Sequence, residues 1–127
     1  MSIRVAPEQL AATIRDLPIA YLLTSGAGPR PHVGRVQIAL SQDRIAVSGA
    51  GATSRVHVAA DAAVTLLWPP LAPEGYSLIV DGTAGLHDEL VVVQPERAVL
   101  HRPAAAPAAP EPETGCAADC MELPVDG

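Results

Sequence analysis

Between Arg44 and Leu86 the sequence permits few arrangements. Arg44-Ile-Ala-Val-Ser48 predicts a strand, Gly49-Ala-Gly-Ala-Thr-Ser54 a glycine-rich loop, and residues 55–61 a short helix. Ala63-Val-Thr-Leu-Leu-Trp68 and residues 76–86 predict two more strands on either side of the breaker-rich loop 69–75. The loop and the first helical turn carry Thr53, Ser54 and Arg55. Two hydroxyls, a cation and free helix N-terminal N–H groups are the makings of a phosphate cradle. Thr53 also suits an ordinary helix N-cap, and Ser48 a strand end.

The rest of the chain completes this unit or trails from it. Residues 7–17 predict an amphipathic helix: Leu10, Ile14 and Leu17 fall at helical spacing, Pro7 suits the first turn and Pro18 ends it. Residues 19–24 predict a buried strand, 25–31 a turn, and 32–40 a second strand. That second strand carries Val33, Arg35 and Gln37 on one face and His32, Gly34, Val36 and Ile38 on the other. After a compact hairpin loop at 41–43 comes the Arg44 strand. Residues 90–93 and 98–100 supply the last one or two strands, with a turn or bulge at 94–97, because Pro95 cannot donate to a central ladder. Many short strands separated by turn signals predict a mainly β protein, an antiparallel sheet closed into a small barrel.

Composition narrows the reading. The core must be built from Ala, Val, Leu and Ile, since there is no Phe and the aromatics are Tyr21, Trp68 and Tyr76 alone. So small a barrel buries limited surface, and a dimer that shares apolar area is expected. The formal charge of −6 misleads about the folded surface, because Glu111, Glu113, Asp119, Glu122 and Asp126 all lie late in the chain. All eight cations are Arg; without a basic, aromatic-interleaved run, nucleic acid is not an expected partner. The absence of Lys beside rich Ala and Pro points to a GC-rich bacterial genome. No membrane span or signal-peptide h-region is present, so the chain reads as cytoplasmic. Residues 1–102 read as one domain and 103–127 as a Pro/Ala-rich linker with a tail carrying Cys116 and Cys120. That thiol pair suits a disulfide, a redox role or two soft metal ligands, and equally two free thiols. His32 and His57 read as structural or surface residues, and Trp68 as a core or interface plug.

From about Ala20 to Leu100 the sequence resembles the FMN-binding split-barrel family, typified by pyridoxamine 5′-phosphate oxidase. The resemblance rests on Ser54-Arg55 at a helix start, the strand ending Leu66-Leu67-Trp68-Pro69, and Leu78-Ile-Val-Asp-Gly82-Thr-Ala84. It implies a six-stranded antiparallel split barrel of Greek-key type, a homodimer, and FMN at the subunit interface. By the same resemblance, His32, Val33, Gly34, Arg35, Val36 and Gln37 lie along the isoalloxazine and ribityl chain. Val47 and Ser48 touch the flavin, Ser54 and Arg55 hold the phosphate (with Thr53 beside them in the cradle read from the residues), Trp68 lines the pocket, and Ser77 approaches from the neighbouring subunit. Two departures matter. The oxidase pattern has Ser-Arg-Lys where this chain has Ser54-Arg55-Val56, and the oxidase's C-terminal segment has no counterpart. The resemblance therefore implies a flavin-dependent oxidoreductase acting on a small organic substrate or a nicotinamide, not a true pyridoxamine 5′-phosphate oxidase. A 5-deazaflavin or haem in the same fold stays open, as does a flavin carrier or sensor with the cysteine tail as its responsive element.

Overall fold

The structure is a computed structural model that describes residues 1–104. Most of the stretch 103–127, including Cys116 and Cys120, lies outside the described residues. Seven strands form one antiparallel sheet: β1 (Ser2–Arg4), β2 (Ala20–Thr24), β3 (His32–Ser41), β4 (Arg44–Ser48), β5 (Ala63–Trp68), β6 (Ser77–His87) and β7 (Leu90–His101). Their order is β1-β7-β4-β3-β2-β5-β6, and pairing of β6 with β7 closes six of them into a barrel. β1 is appended to the outside of that ring. The mainly β, six-stranded barrel is the one the sequence predicts.

Alternation along the strands sorts the side chains. Leu22, Ile45, Val47, Leu66, Leu78, Val80, Val91 and Val93 point inward and are wholly buried; their neighbours in sequence point out. Trp68 is the one large ring in this core.

Four local features refine the reading made from sequence. First, the second helix, α2 (Ala52–Ala60), starts earlier than residue 55. Gly49 turns the chain at φ +84°, a conformation that glycine adopts freely, and Gly51 is the N-cap. Thr53 is therefore an exposed residue inside the helix, and no side chain caps it. Second, the N-terminal helix is a 3-10 turn (Pro7–Gln9) followed by α1 (Leu10–Arg15). It ends short of Leu17 because Pro18 disfavours the helical region for the residue before it. Third, of the one or two strands expected over residues 90–100 the structure has one, β7, of 12 residues. Pro95 is accommodated at a bulge, where the register passes from Asp81↔Arg97 to Gly82↔Pro95. At that level β7 has passed its last partner on β4, Val93↔Ile45, and not reached its first on β1, Val99↔Arg4. Fourth, β1 was not expected. Its three residues pair with the far end of the chain, so no local pattern announces it.

Among the described residues no helix is long and apolar enough to cross a membrane.

Candidate functional site

α1, the segment after it and the near end of β3 border a cleft of about 860 Å³ at the barrel rim. Ile14, Arg15 and Leu17 line one side, Arg35 and Gln37 the other, with Gly49 at the loop before α2 and Trp68 at the base. Arg35 and Gln37 are there because odd-numbered β3 residues face outward, and both are exposed. Ser48 is opposite Gln37 in the β3–β4 ladder, which puts its side chain on the same face beside the cleft.

The cleft lining contains no carboxylate. Among the described residues the one salt bridge joins Arg97 to Asp81, at 3.5 Å, on another part of the barrel. Arg15 and Arg35 are thus two guanidinium groups at one opening, each without an acidic partner in the described residues. Such an arrangement favours an anion, which a guanidinium can take through two parallel hydrogen bonds.

A second group of the expected residues lies beneath α2. Ser54 and Val58, four residues apart, form the buried face of that helix. The Ser54 hydroxyl faces β3: a Cβ placed on Gly34 would sit 3.9 Å from Ser54 Oγ and 3.6 Å from His32 Nε2. The His32 ring meets the His57 ring edge-on, with centroids 6.0 Å apart and planes at 87°. His57 Nδ1 and the buried Thr24 hydroxyl share a hydrogen bond of 3.1 Å. Gly26 lies directly over the same imidazole, where a Cβ would come within 2.7 Å of Nε2. His57 thus ties α2 to the end of β2.

The expected residues therefore fall in separate places. Arg35, Val36, Gln37 and Trp68 line the cleft and Ser48 adjoins it, whereas His32, Gly34 and Ser54 are gathered under α2. Val47 is wholly enclosed in the barrel, so its side chain does not reach the outer surface. Val33 is 53% exposed on the outer face. Arg55, half-buried on α2, and the exposed Thr53 are not cleft-lining residues. Ser77 opens β6, opposite His101, two strands beyond β2 in the sheet. Sequence reasoning missed Arg15 and Gly49 in the cleft. Arg15 was only the end of an amphipathic helix, and nothing in its spacing tied it to β3. The Thr24–His57 contact was missed because it joins residues 33 apart.

No family model matches the chain. Two mycobacterial proteins match it along nearly its whole length: the uncharacterized protein Mb0449c of Mycobacterium bovis and the uncharacterized protein MT0457 of Mycobacterium tuberculosis. Each is 39% identical over 138 aligned positions, covering 96% of this chain and 96% of its own. The chain belongs to the Mb0449c/MT0457 family. Solved structures add the fold of this family. An FAD-binding protein of Mycobacterium smegmatis superposes with a TM-score of 0.59 at 16% identity, covering 80% of this chain and 100% of that one. A Clostridium acetobutylicum protein of the pyridoxinephosphate oxidase family gives 0.61 at 13% identity, covering 77% and 91%. An F420 reductase gives 0.55 at 14%, covering 68% and 93%. The Mb0449c/MT0457 family chain described here therefore has the split-barrel fold of these proteins.

Proposed function

We propose that the chain binds a flavin-type coenzyme, FMN or a 5-deazaflavin, and works as an oxidoreductase on a small organic substrate or a nicotinamide. The observation that carries this reading is the acid-free cleft with Arg15 and Arg35 at its mouth. Its volume falls in the range of small-molecule sites, about 300–1,000 Å³. The lining fits an anionic ring-bearing ligand: cations and the Gln37 amide at the rim, the apolar faces of Val36, Ile38 and Trp68 below. Split-barrel proteins named as FAD-binding and as an F420 reductase favour a flavin or deazaflavin over haem.

Such a coenzyme, when bound, supplies the hydride or electron transfer; the protein holds and orients it. In this reading Arg35, Gln37 and Ser48 flank the ring system. Arg55 and the N-terminal N–H groups of α2 take the phosphate. Ser54 supports that helix from beneath, and the exposed Val56, which stands where the oxidases carry a lysine, leaves the phosphate to arginine. A homodimer completes the site with Ser77 from the neighbouring subunit. Support for the dimer comes from a row of half-buried apolar side chains, Leu23, Tyr21, Leu67 and Ile79. With the exposed Val33, these face outward from β2, β3, β5 and β6 without cover from the described chain.

Titration of the purified full chain with FMN, followed by quenching of flavin fluorescence, tests the reading. Saturable one-to-one binding is expected, and Arg35→Ala or Arg55→Ala should each weaken it about 10- to 100-fold, the worth of a lost charge-assisted hydrogen bond. Unchanged affinity in both variants would remove the assignment. The visible spectrum of the purified protein separates a flavin, with two bands, from a deazaflavin, with one.

A further inference from the structure

α2 is fastened to the barrel unevenly. It is nine residues long, too short to persist on its own, and buries only Ser54 and Val58. Behind it, the Asp61 carboxylate accepts the Ala63 N–H at 3.1 Å and the Ala84 N–H donates to the Ala62 carbonyl at 2.8 Å. Its C-terminal end is thereby fixed to β5 and β6. Ahead of it stand Gly49, Ala50 and Gly51, a joint whose two glycines give the backbone wide freedom. Those ties alone would let the helix pivot about its C-terminal end.

The His57 side chain opposes such a pivot. Its ring enters a socket at the ends of β2 and β3. Thr24, the buried last residue of β2, shares the 3.1 Å hydrogen bond with Nδ1. His32, opposite Thr24 in the β2–β3 ladder, meets the ring edge-on. Gly26 closes the third side: a Cβ there would strike Cδ2 and lie 2.7 Å from Nε2 and 3.0 Å from Cγ, so glycine leaves the ring its place. At 3.6 residues per turn, Arg55 and His57 project to nearly opposite sides of α2. A ring held on the sheet side therefore fixes the angle at which the guanidinium and the first N–H groups of the helix are presented.

We propose that His57 is a positioning residue. Seated between Thr24, His32 and Gly26, it sets the orientation of α2 and so the preference for a phosphorylated coenzyme over the same ring system without its phosphate. The seat stands on the geometry of the ring; the preference rests on the reading of Arg55 and the α2 N-terminus as the phosphate site. His57 itself touches no coenzyme. Its effect falls on the phosphate end alone, which separates it from Arg35 and Gln37 beside the ring system.

FMN and riboflavin share ring and ribityl chain and differ by the phosphate, so the ratio of their affinities reads the preference. The full-length parent should bind FMN more tightly. His57→Ala should cut that ratio about 3- to 10-fold, the worth of one hydrogen bond, with riboflavin affinity held within about 2-fold. Thr24→Val, which keeps the branched shape without the hydroxyl, and Gly26→Ala, which leaves both partners but crowds the ring, should do the same. His57→Asn, whose amide reaches the position of Nδ1, should recover most of the ratio. With no coenzyme added, amide hydrogen exchange in His57→Ala should quicken about 3- to 10-fold across residues 52–60 while β2 and β5 keep their protection. A ratio that survives in all three disrupting variants would overturn the proposal, as would unaltered exchange in α2 or no recovery with asparagine. Equal losses of FMN and riboflavin affinity would also overturn it, because they mark damage to the whole fold. A parent that binds FMN no better than riboflavin, or binds neither, removes the phosphate reading and the preference with it, and the exchange experiment still decides the seat of His57.

Discussion

Trp68→Ala is expected to remove about 3–5 kcal/mol of folding stability, the range for deleting a large buried aromatic. In a domain of this size that lowers the melting temperature by roughly 15–30 °C. The reason lies in what surrounds the ring. Trp68 is 1% exposed at the end of β5, paired with Leu78, in a core that otherwise consists of Val, Leu, Ile and Ala. No Phe exists to swing into the space, and the β-branched neighbours on fixed strands have few alternative rotamers. The hole is therefore left largely unfilled. Thermal unfolding followed by circular dichroism measures the loss, with Trp68→Phe as the milder companion. A loss below about 1 kcal/mol for the alanine variant would mean that the ring fills no core space.

Gly82→Ala is expected to cost about 3 kcal/mol, at the upper end for overpacking. A Cβ there would meet the Gln94 carbonyl oxygen and lie 2.9 Å from Val93 Cγ1 and 3.1 Å from the Gln94 carbonyl carbon. Two of the three obstacles are backbone atoms, and that backbone belongs to the β7 bulge around Pro95. Relief would require the seam that closes the barrel to move. Gly85, three residues on in the same strand, has open space where its Cβ would be. Gly85→Ala should therefore shift stability by less than about 1 kcal/mol in either direction. Chemical denaturation of the pair reads the contrast directly, and equal effects at the two glycines would show that the bulge tolerates a methyl group.

The barrel was legible because its signals are local. Alternating Ile45, Val47, Leu66, Leu78 and Val80, separated by Gly, Pro and Ser, register as strands whichever partners they find. The order strand–glycine loop–helix–strand around Arg55 also carried the family resemblance. What escaped the sequence depends on distant pairing. β1 exists because residues 99–101 offer it an edge, and β7 is continuous because Pro95 falls in a gap between two partners. In the cleft, Arg35 and Gln37 followed from strand alternation, whereas Arg15 depends on how α1 packs over the rim. Ser54 was legible as important but not in direction. Its position four residues before Val58 makes it part of the buried face, a consequence of where α2 starts.

β7 lies along the full length of β6 on one side and joins β4 and β1 on the other. Without β7, the sheet β4-β3-β2-β5-β6 would end in two free margins, β4 and β6. Both margins are strands with unsatisfied N–H and C=O groups, the kind of surface on which nascent chains adhere to one another. One late segment removes both hazards at once. With β7 in place the ring is closed and none of its six strands keeps a free margin.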